Sequence, residues 1–457
     1  MIPPEGTAIL TAGEMRAAED RAMAAGASVA SLMQRAGEGV ALAVQRLAGA
    51  NEILILCGPG NNGGDGYIAA TRLRAAGNRV RVATAAEPKT DAARAARSGW
   101  GGEIEPIGEA RPATVLVDAL YGTGVSRPLA SDDERAVRRL AEAATLTIAV
   151  DLPSGVASDD GHVFGDVPPM QVTLALGALK PAHLLQPAAA LCGTVRIVPI
   201  GVEAGGTARM LAAPAFAAPA VDSHKFSRGM VAVARGRMAG AALLAAGAAM
   251  HAGAGYVELL GASMPGAPHA LVRRPMDEAA LGDERIGALV VGPGWGRDDG
   301  MRERLEMLLA GDHPLVLDGD ALHLVTPERL RARAAPTIVT PHAGEFAALF
   351  GKPTGSKLVA ARAAAHRSGA VVVFKGPDTI IAAPDGQAVV AGPASSWLST
   401  AGTGDVLAGA IGAMLAAGRA PLDAAAAGVW LHGAAARRLG VAFIADDLAR
   451  ALAEVRR

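Results

Sequence analysis

The chain has 457 residues, 51% hydrophobic and 19% charged, a balance that excludes a disordered polypeptide. Lys plus Arg number 43 and Asp plus Glu 44, a formal net charge of -1, which argues against broad electrostatic binding to nucleic acid or an anionic membrane. Two cysteines, Cys57 and Cys192, cannot make a disulfide framework, and no Cys/His cluster has zinc-ligand spacing.

At roughly 100–200 residues per domain, the length predicts two or three domains. The opening MIPPEGTAIL lacks a charged segment followed by an apolar one, so no signal peptide is read, and a cytoplasmic protein is expected. Thr11 to Ala48 reads as two helices, the second with Leu32, Met33, Val40 and Val44 on one stripe. Strands are then predicted at 52–57, 79–84, 114–118 and 146–151, with helices at 65–76 and 132–144. Strands alternating with helices imply a parallel sheet covered on both faces. The Ala/Gly/Pro-rich stretch 202–221 has no clear period and reads as a domain junction. Beyond it, strands are predicted at 229–234, 288–292, 314–318, 337–340, 370–375 and 379–382. Helices are predicted at 239–251, 404–417 and 422–439, with a short one near the end. The stretch Met238 to Met250, mostly Ala and Gly, is too short and too weakly apolar to span a bilayer and reads as a core helix.

The run Gly58-Pro-Gly-Asn-Asn-Gly-Gly-Asp-Gly66 follows a strand and opens a helix. Gly58, Gly60 and Gly63 satisfy G-x-G-x-x-G, a spacing that lets a backbone approach a phosphate at a helix N-terminus. Glu87 stands after the next strand, where a dinucleotide enzyme places a ribose-binding acid, so a nicotinamide dehydrogenase is one alternative. Against it, Pro59 removes a backbone donor, and Asp65 would repel a pyrophosphate unless it only caps the helix. Two more strand ends carry acids, Asp118 before Ala-Leu-Tyr-Gly122-Thr-Gly124 and Asp151 before Leu-Pro-Ser154-Gly155. Ligands of open parallel sheets bind at the carboxyl ends of strands. Asn62, Asp118, Asp151 and Ser154 therefore converge, although each Asp alone is as readily a turn cap. Oxygen donors without His or Cys suit a hard cation.

GPGNNGGDG, DALYGTG and DLPSG, preceded by LMQRAGEGVA, resemble the epimerase domain of NAD(P)H-hydrate repair enzymes over residues 9 to 205. The resemblance implies a Rossmann-like three-layer domain, 1–210. It implies that Asn61, Asn62, Gly63, Gly64 and Asp65 bind the hydrated nucleotide, together with Gly122, Thr123, Gly124, Val125, Ser126, Arg127, Pro128 and Asp151. It further implies a potassium ion on Asn62, Asp118 and Ser154, with Asp118 as the acid/base.

In the second half, Thr400-Ala-Gly402-Thr-Gly404-Asp405 opens a long apolar helix. Glycines there aim backbone N–H groups at developing phosphate charge, and an Asp is placed to take a proton from an attacking hydroxyl. A cap by Asp405 would explain the acid but not the glycines. GTGD resembles the anion hole and base of the ribokinase-like superfamily. With HKFSRG, GAGYV, GPGWG, LDGDAL, TPHAGE and KGPDT in order, it looks like the ADP/ATP-dependent NAD(P)H-hydrate dehydratases over 220–457. This implies a ribokinase-like α/β domain in which Lys375, Gly376, Pro377, Asp378, Thr379 and Gly404 contact the adenine nucleotide. Ala254, Gly294, His342 and Asp405 would line the hydrate site, with Trp295 at its rim. Asp405 would be the base.

Together the halves resemble the bifunctional nicotinamide nucleotide repair family. The expected activity interconverts R- and S-NAD(P)HX and dehydrates the S form with ADP, giving NAD(P)H, AMP and phosphate. Expected cofactors are potassium for the first reaction, and magnesium with ADP as co-substrate for the second. The small-molecule partners are NADHX, NADPHX and ADP, in a homo-oligomer without nucleic acid or membrane. The alternatives are a ribokinase-like small-molecule kinase fused to a nucleotide-binding module, or a first half that only binds metabolites.

Overall fold

The computed structural model describes residues 1–261 and 268–456, which divide into two compact units, Met1–Met210 and Leu211–Arg457. The first holds a parallel seven-stranded sheet. Its strands lie in the order Ile104–Pro106, Val80–Thr84, Ile53–Cys57, Val115–Ala119, Leu146–Val150, Val172–Leu176 and Thr194–Val198. Alternate residues of the central strand feed two cores. Ile53 and Ile55 pack with Val40 and Val44 of the helix Val29–Ala48. Leu54 and Leu56 pack with Val137 and Leu140 of the helix Ser131–Ala143. Every residue of Ile53–Cys57 is buried, which is why this strand reads as a continuous apolar run rather than an alternating one.

The helix expected from residue 65 begins four residues earlier, spanning Asn61–Ala75 with Gly60 at its N-cap. Glycine makes this possible. A Cβ on Gly63 would lie 1.9 Å from the Gly58 carbonyl oxygen, and one on Gly64 would lie 2.6 Å from Met33 Sδ. The NNGGD run is thus the first helical turn, seated on the loop before it. Strands Ile104–Pro106, Val172–Leu176 and Thr194–Val198 and the helix Asp91–Ser98 were not expected.

In the second unit, parallel strands lie in the order Val371–Phe374, Thr337–Val339, Leu315–Leu317, Ile286–Val291, Met230–Ala234, Tyr256–Leu260 and Val272–Arg274. Ile380–Ala382 and Ala388–Val390 extend the sheet antiparallel beside Val371–Phe374. The core is built on small residues: Ala242, Ala245, Ala246 and Ala249 of the helix Ala239–His251 meet Val406, Ala410 and Ala413 of Thr403–Ala416. A Cβ on Gly409 would fall 2.0 Å from the Ala245 carbonyl oxygen, so this glycine sets how closely the two helices approach. Among the described residues, no helix is long and apolar enough to cross a membrane.

Candidate active sites of the two units

In the first unit, the carboxyl ends of six neighbouring strands border a cavity of about 620 Å³. Met15, Met23 and Leu32 from the first two helices give it an apolar wall, while Arg16, Glu19, Asn62, Asp65, Lys89, Asp151 and Lys180 give it a polar one. Gly122, Thr123 and Gly124 also border it, whereas Val125, Ser126, Arg127 and Pro128 continue the same loop outside its lining. Asn61 borders it too, its Oδ1 accepting from Thr90 Oγ1 at 2.7 Å. Gly63 and Gly64 are buried and act in packing, as described above.

Asp118 lies at the end of Val115–Ala119, fully buried and not in the cavity wall. Its Oδ1 accepts from Leu120 N at 3.1 Å and Ser154 Oγ at 2.7 Å, and its Oδ2 from Ser154 N at 2.8 Å. All three donors are uncharged. Burial pushes the Asp118 carboxyl above its ordinary range, and the Ser154 and Leu120 bonds pull it partly back. Nearby, Asn62 Nδ2 is buried without a hydrogen-bond partner. A Cβ on Gly122 would sit 3.0 Å from Asp151 Oδ2 and 3.3 Å from Asn62 Oδ1, so this turn passes directly over both side chains.

The residue that the sequence did not single out is Lys180. It follows Val172–Leu176, is 1% exposed, and its Nζ donates to Asp151 Oδ1 at 2.5 Å and to the Leu176 carbonyl at 2.7 Å. The Leu176 N–H also donates to Asp151 Oδ1, at 3.1 Å. Asp151 itself has φ of 68°, a left-handed conformation rare for a side-chain-bearing residue. His183 braces it. Its Nδ1 accepts the Lys180 backbone N–H at 2.9 Å, so the ring proton is on Nε2, which donates to the Asp151 carbonyl at 2.6 Å. Burial, and then the Lys180 charge, push the His183 pKa down to about 4, keeping the ring neutral. Asp65 is pushed well above the usual carboxyl range, first by burial and then by Asp151 and Glu19. Glu87, the candidate ribose ligand of a dehydrogenase, is 74% exposed and ion-paired with Arg97.

In the second unit, Gly402, with φ of 88°, caps the helix Thr403–Ala416 and starts it with Thr403, Gly404 and Asp405. Asp318 follows Leu315–Leu317, and its Oδ1 accepts from Lys375 Nζ at 2.7 Å and Thr340 Oγ1 at 2.6 Å. A Cβ on Gly404 would fall 3.5 Å from Lys375 Nζ and 3.7 Å from Asp318 Oδ2, so the helix start rests against this pair. Burial, and then the Asp318 charge, raise the Asp405 pKa to about 7, with Lys375 opposing.

Lys375 thus stands in the acid cluster rather than apart from it. The loop after it is pinned by Lys357, which donates to Asp378 Oδ1 at 2.6 Å, while Thr379 Oγ1 closes a turn on the Gly376 carbonyl at 2.9 Å. The Pro377 carbonyl accepts from Ala394 N at 3.1 Å. His342 caps the helix Ala343–Phe350 through Nδ1, leaving its side chain 61% exposed, and Glu345 beside it lies 3.8 Å from Lys375 Nζ.

Two expectations are corrected. Ala254 lies between Ala239–His251 and Tyr256–Leu260, at the amino end of the sheet, whereas Asp318, Thr340 and Lys375 lie at its carboxyl end. Gly294 instead meets the start of Ala239–His251, a Cβ there falling 2.6 Å from Met238 Cβ and 3.0 Å from Ala241 Cβ. Trp295 does not reach a pocket rim. It is fully buried, with Nε1 donating to the Met301 carbonyl at 3.0 Å.

Two family models match the chain: one described as the YjeF-related protein N-terminus over residues 29–182, the other as NAD(P)H-hydrate dehydratase over 230–455. The chain is 34% identical to the bifunctional NAD(P)H-hydrate repair enzyme of Salinibacter ruber, over 96% of this chain and 94% of that protein. It is 35% identical to the enzyme of the same name from Mycobacterium tuberculosis (87% of this chain, 86% of that one) and 33% to that from Escherichia coli (92% and 87%). Among solved structures, it is similar to the ADP/ATP-dependent NAD(P)H-hydrate dehydratase of Bacillus subtilis co-crystallised with ATP and magnesium. That match has 29% identity and a TM-score of 0.47, covering 52% of this chain and 92% of the other.

Proposed function

The chain belongs to the bifunctional NAD(P)H-hydrate repair enzymes, and on that premise we propose that its two units divide the repair between them. Met1–Met210 interconverts the R and S forms of hydrated NADH and NADPH, and Leu211–Arg457 dehydrates the S form with ADP. The observation that carries this reading is Asp405, a half-buried carboxyl with a pKa near 7, set at a glycine-flanked helix N-terminus. Such a group takes the proton of the carbon-6 hydroxyl as its oxygen attacks the terminal phosphate of ADP. The helix N–H groups from Thr403 onward face the charge that develops there. AMP leaves, and the new phosphate ester then departs as inorganic phosphate, a far better leaving group than hydroxide. Carbon 5 gives up the proton that hydration had added, and the C5=C6 double bond of the dihydronicotinamide is restored. Magnesium enters with the nucleotide as part of the co-substrate, which supplies most of its ligands.

For the first unit, Asn62, Asp118 and Ser154 fit a monovalent cation such as potassium. The carboxylate meets only uncharged donors, and the Asn62 Oδ1 and Asp151 Oδ2 oxygens lie together beneath the Gly122 turn. One carboxylate among neutral oxygens suits a weakly charged ion better than a divalent one. Bound there, the ion supplies a fixed positive charge that balances buried Asp118.

The test is to incubate the protein with mixed R and S hydrates and ADP, following NADH absorbance and the phosphorylated species by mass spectrometry. Full recovery of NADH with AMP and phosphate is expected. A stable phosphorylated product would mark a kinase instead.

A further inference from the structure

We propose that Lys180 is a catalytic residue of the first unit, acting as the acid that releases the carbon-6 hydroxyl as water, with Asp151 holding it in place. The proposal rests on the epimerase reading of that unit.

Three observations carry it. First, Lys180 borders the cavity and Asp118 does not. The oxygens of Asp118 are already engaged by Leu120 and Ser154, so that carboxylate is built into the scaffold. Second, the Lys180 ammonium is fixed from behind. Two of its three N–H bonds go to Asp151 Oδ1 and the Leu176 carbonyl, leaving one N–H on a group that borders the cavity. His183 ties the Lys180 backbone N–H to the Asp151 carbonyl, so both residues are held in one frame, and the left-handed Asp151 backbone is maintained by it. A buried ammonium held so rigidly has little reason to exist for stability alone, since replacing such a pair by apolar side chains is often neutral or better. Third, of the three cationic side chains that border the cavity, Arg16, Lys89 and Lys180, only Lys180 is buried, and it stands among Glu19, Asp65 and Asp151.

The proton that Lys180 carries selects the route. Ring opening must take a proton from the carbon-6 hydroxyl as the C6–N bond breaks and an aldehyde forms, which an ammonium cannot do. Water loss instead takes a proton at that oxygen and leaves a cationic ring, which the neighbouring Asp151 stabilises. In the forward step, a proton passes from Lys180 Nζ to the carbon-6 oxygen. The C6–O bond breaks with its electron pair staying on oxygen, and water leaves. The ring-nitrogen lone pair forms the C=N bond. Water then adds to the opposite face of carbon 6, the C=N pair returns to nitrogen, and the added water gives one proton back to Lys180. Configuration inverts with no oxidant and no net proton change.

The experiment starts from the purified R hydrate in H₂¹⁸O, without ADP, following S-hydrate formation and ¹⁸O at carbon 6. Wild-type protein is expected to place one ¹⁸O in each epimer it forms. Enzyme-accelerated epimerisation without label would overturn the route and the role of Lys180 with it. If wild-type protein gives no acceleration over buffer, the epimerase reading itself fails, which is a separate outcome. Lys180→Met and Lys180→Arg should each lose on the order of 10²–10⁴ in epimerisation rate, the usual contribution of a general acid. Arg keeps the charge and the bond to Asp151 but cannot release a proton at working pH. Partial rescue of Lys180→Ala by added methylamine is also expected, a response that a merely structural lysine would not show. Lys180→Arg at wild-type rate would overturn the proposal.

Discussion

At the residue scale, the second site turns on how Asp318 and Lys375 set Asp405. Burial and the Asp318 charge both disfavour the ionised Asp405, so it holds its proton up to about pH 7. A base must be unprotonated, so the ADP-dependent rate should fall as pH drops below about 7 and level off above it. A flat profile between about pH 5 and 8, measured in single turnover, would remove Asp405 from that role. Asp318→Asn deletes the repelling charge and releases Lys375 from its 2.7 Å pair. Both changes favour the Asp405 anion, so the rising limb should move to lower pH. Asp405→Asn should lower NADH formation on the order of 10²–10⁴ while R and S still interconvert. Sequence alone exposed Asp405, because glycines, acid and helix follow one another in the chain. It could not expose Lys180 or the role of Asp318, whose partners lie 29 and 57 residues away. Ala254 was misplaced for a related reason: a Gly-Ala-Gly run looks like a ligand loop, but only the sheet shows that it sits at the amino end of the strands.

At the scale of elements, the first turn of Asn61–Ala75 is where backbone approach matters most. Gly63→Ala puts a Cβ 1.9 Å from the Gly58 carbonyl oxygen, and either loop or helix must move. Overpacking of this kind costs about 1–3 kcal/mol, and the displaced turn carries Asn62 and Asp65 with it. Gly60→Ala is the control, since a Cβ there meets nothing within 4 Å. The denaturant midpoint of unfolding and the epimerisation rate should both fall for Gly63→Ala and stay near wild type for Gly60→Ala. Equal behaviour of the two variants would refute the packing role. The parallel-sheet architecture was legible because buried strands such as Ile53–Cys57 form unbroken apolar runs. Strands at or near the sheet edges were not: Ile104–Pro106, Val272–Arg274 and Ala388–Val390 have three residues each, too few to show a period. The helix Lys357–Ser368 was hidden differently, since its buried face is mostly alanine, Ala360, Ala361, Ala364 and Ala365, and makes only a weak apolar stripe.

At the scale of the molecule, the account assigns different ions to different reactions. Withdrawing monovalent cations should slow epimerisation and leave dehydration of the S form unaffected, whereas a magnesium chelator should do the reverse. Epimerisation that stops with the chelator but continues without any monovalent cation would contradict the assignment to Asn62, Asp118 and Ser154. The division of labour predicts a further pattern. Protein lacking Lys180 function should consume only the S half of a mixed hydrate at the catalysed rate, the R half following at the spontaneous rate of epimerisation. The most direct measurement is a time course of NADH absorbance on mixed R and S hydrates with magnesium and ADP, comparing wild type, Asp405→Asn and Lys180→Arg. The account predicts rapid full recovery for wild type, none for Asp405→Asn, and a fast partial phase followed by a slow one for Lys180→Arg. A single fast phase to completion in Lys180→Arg, or NADH formation at the wild-type rate in Asp405→Asn, would contradict it.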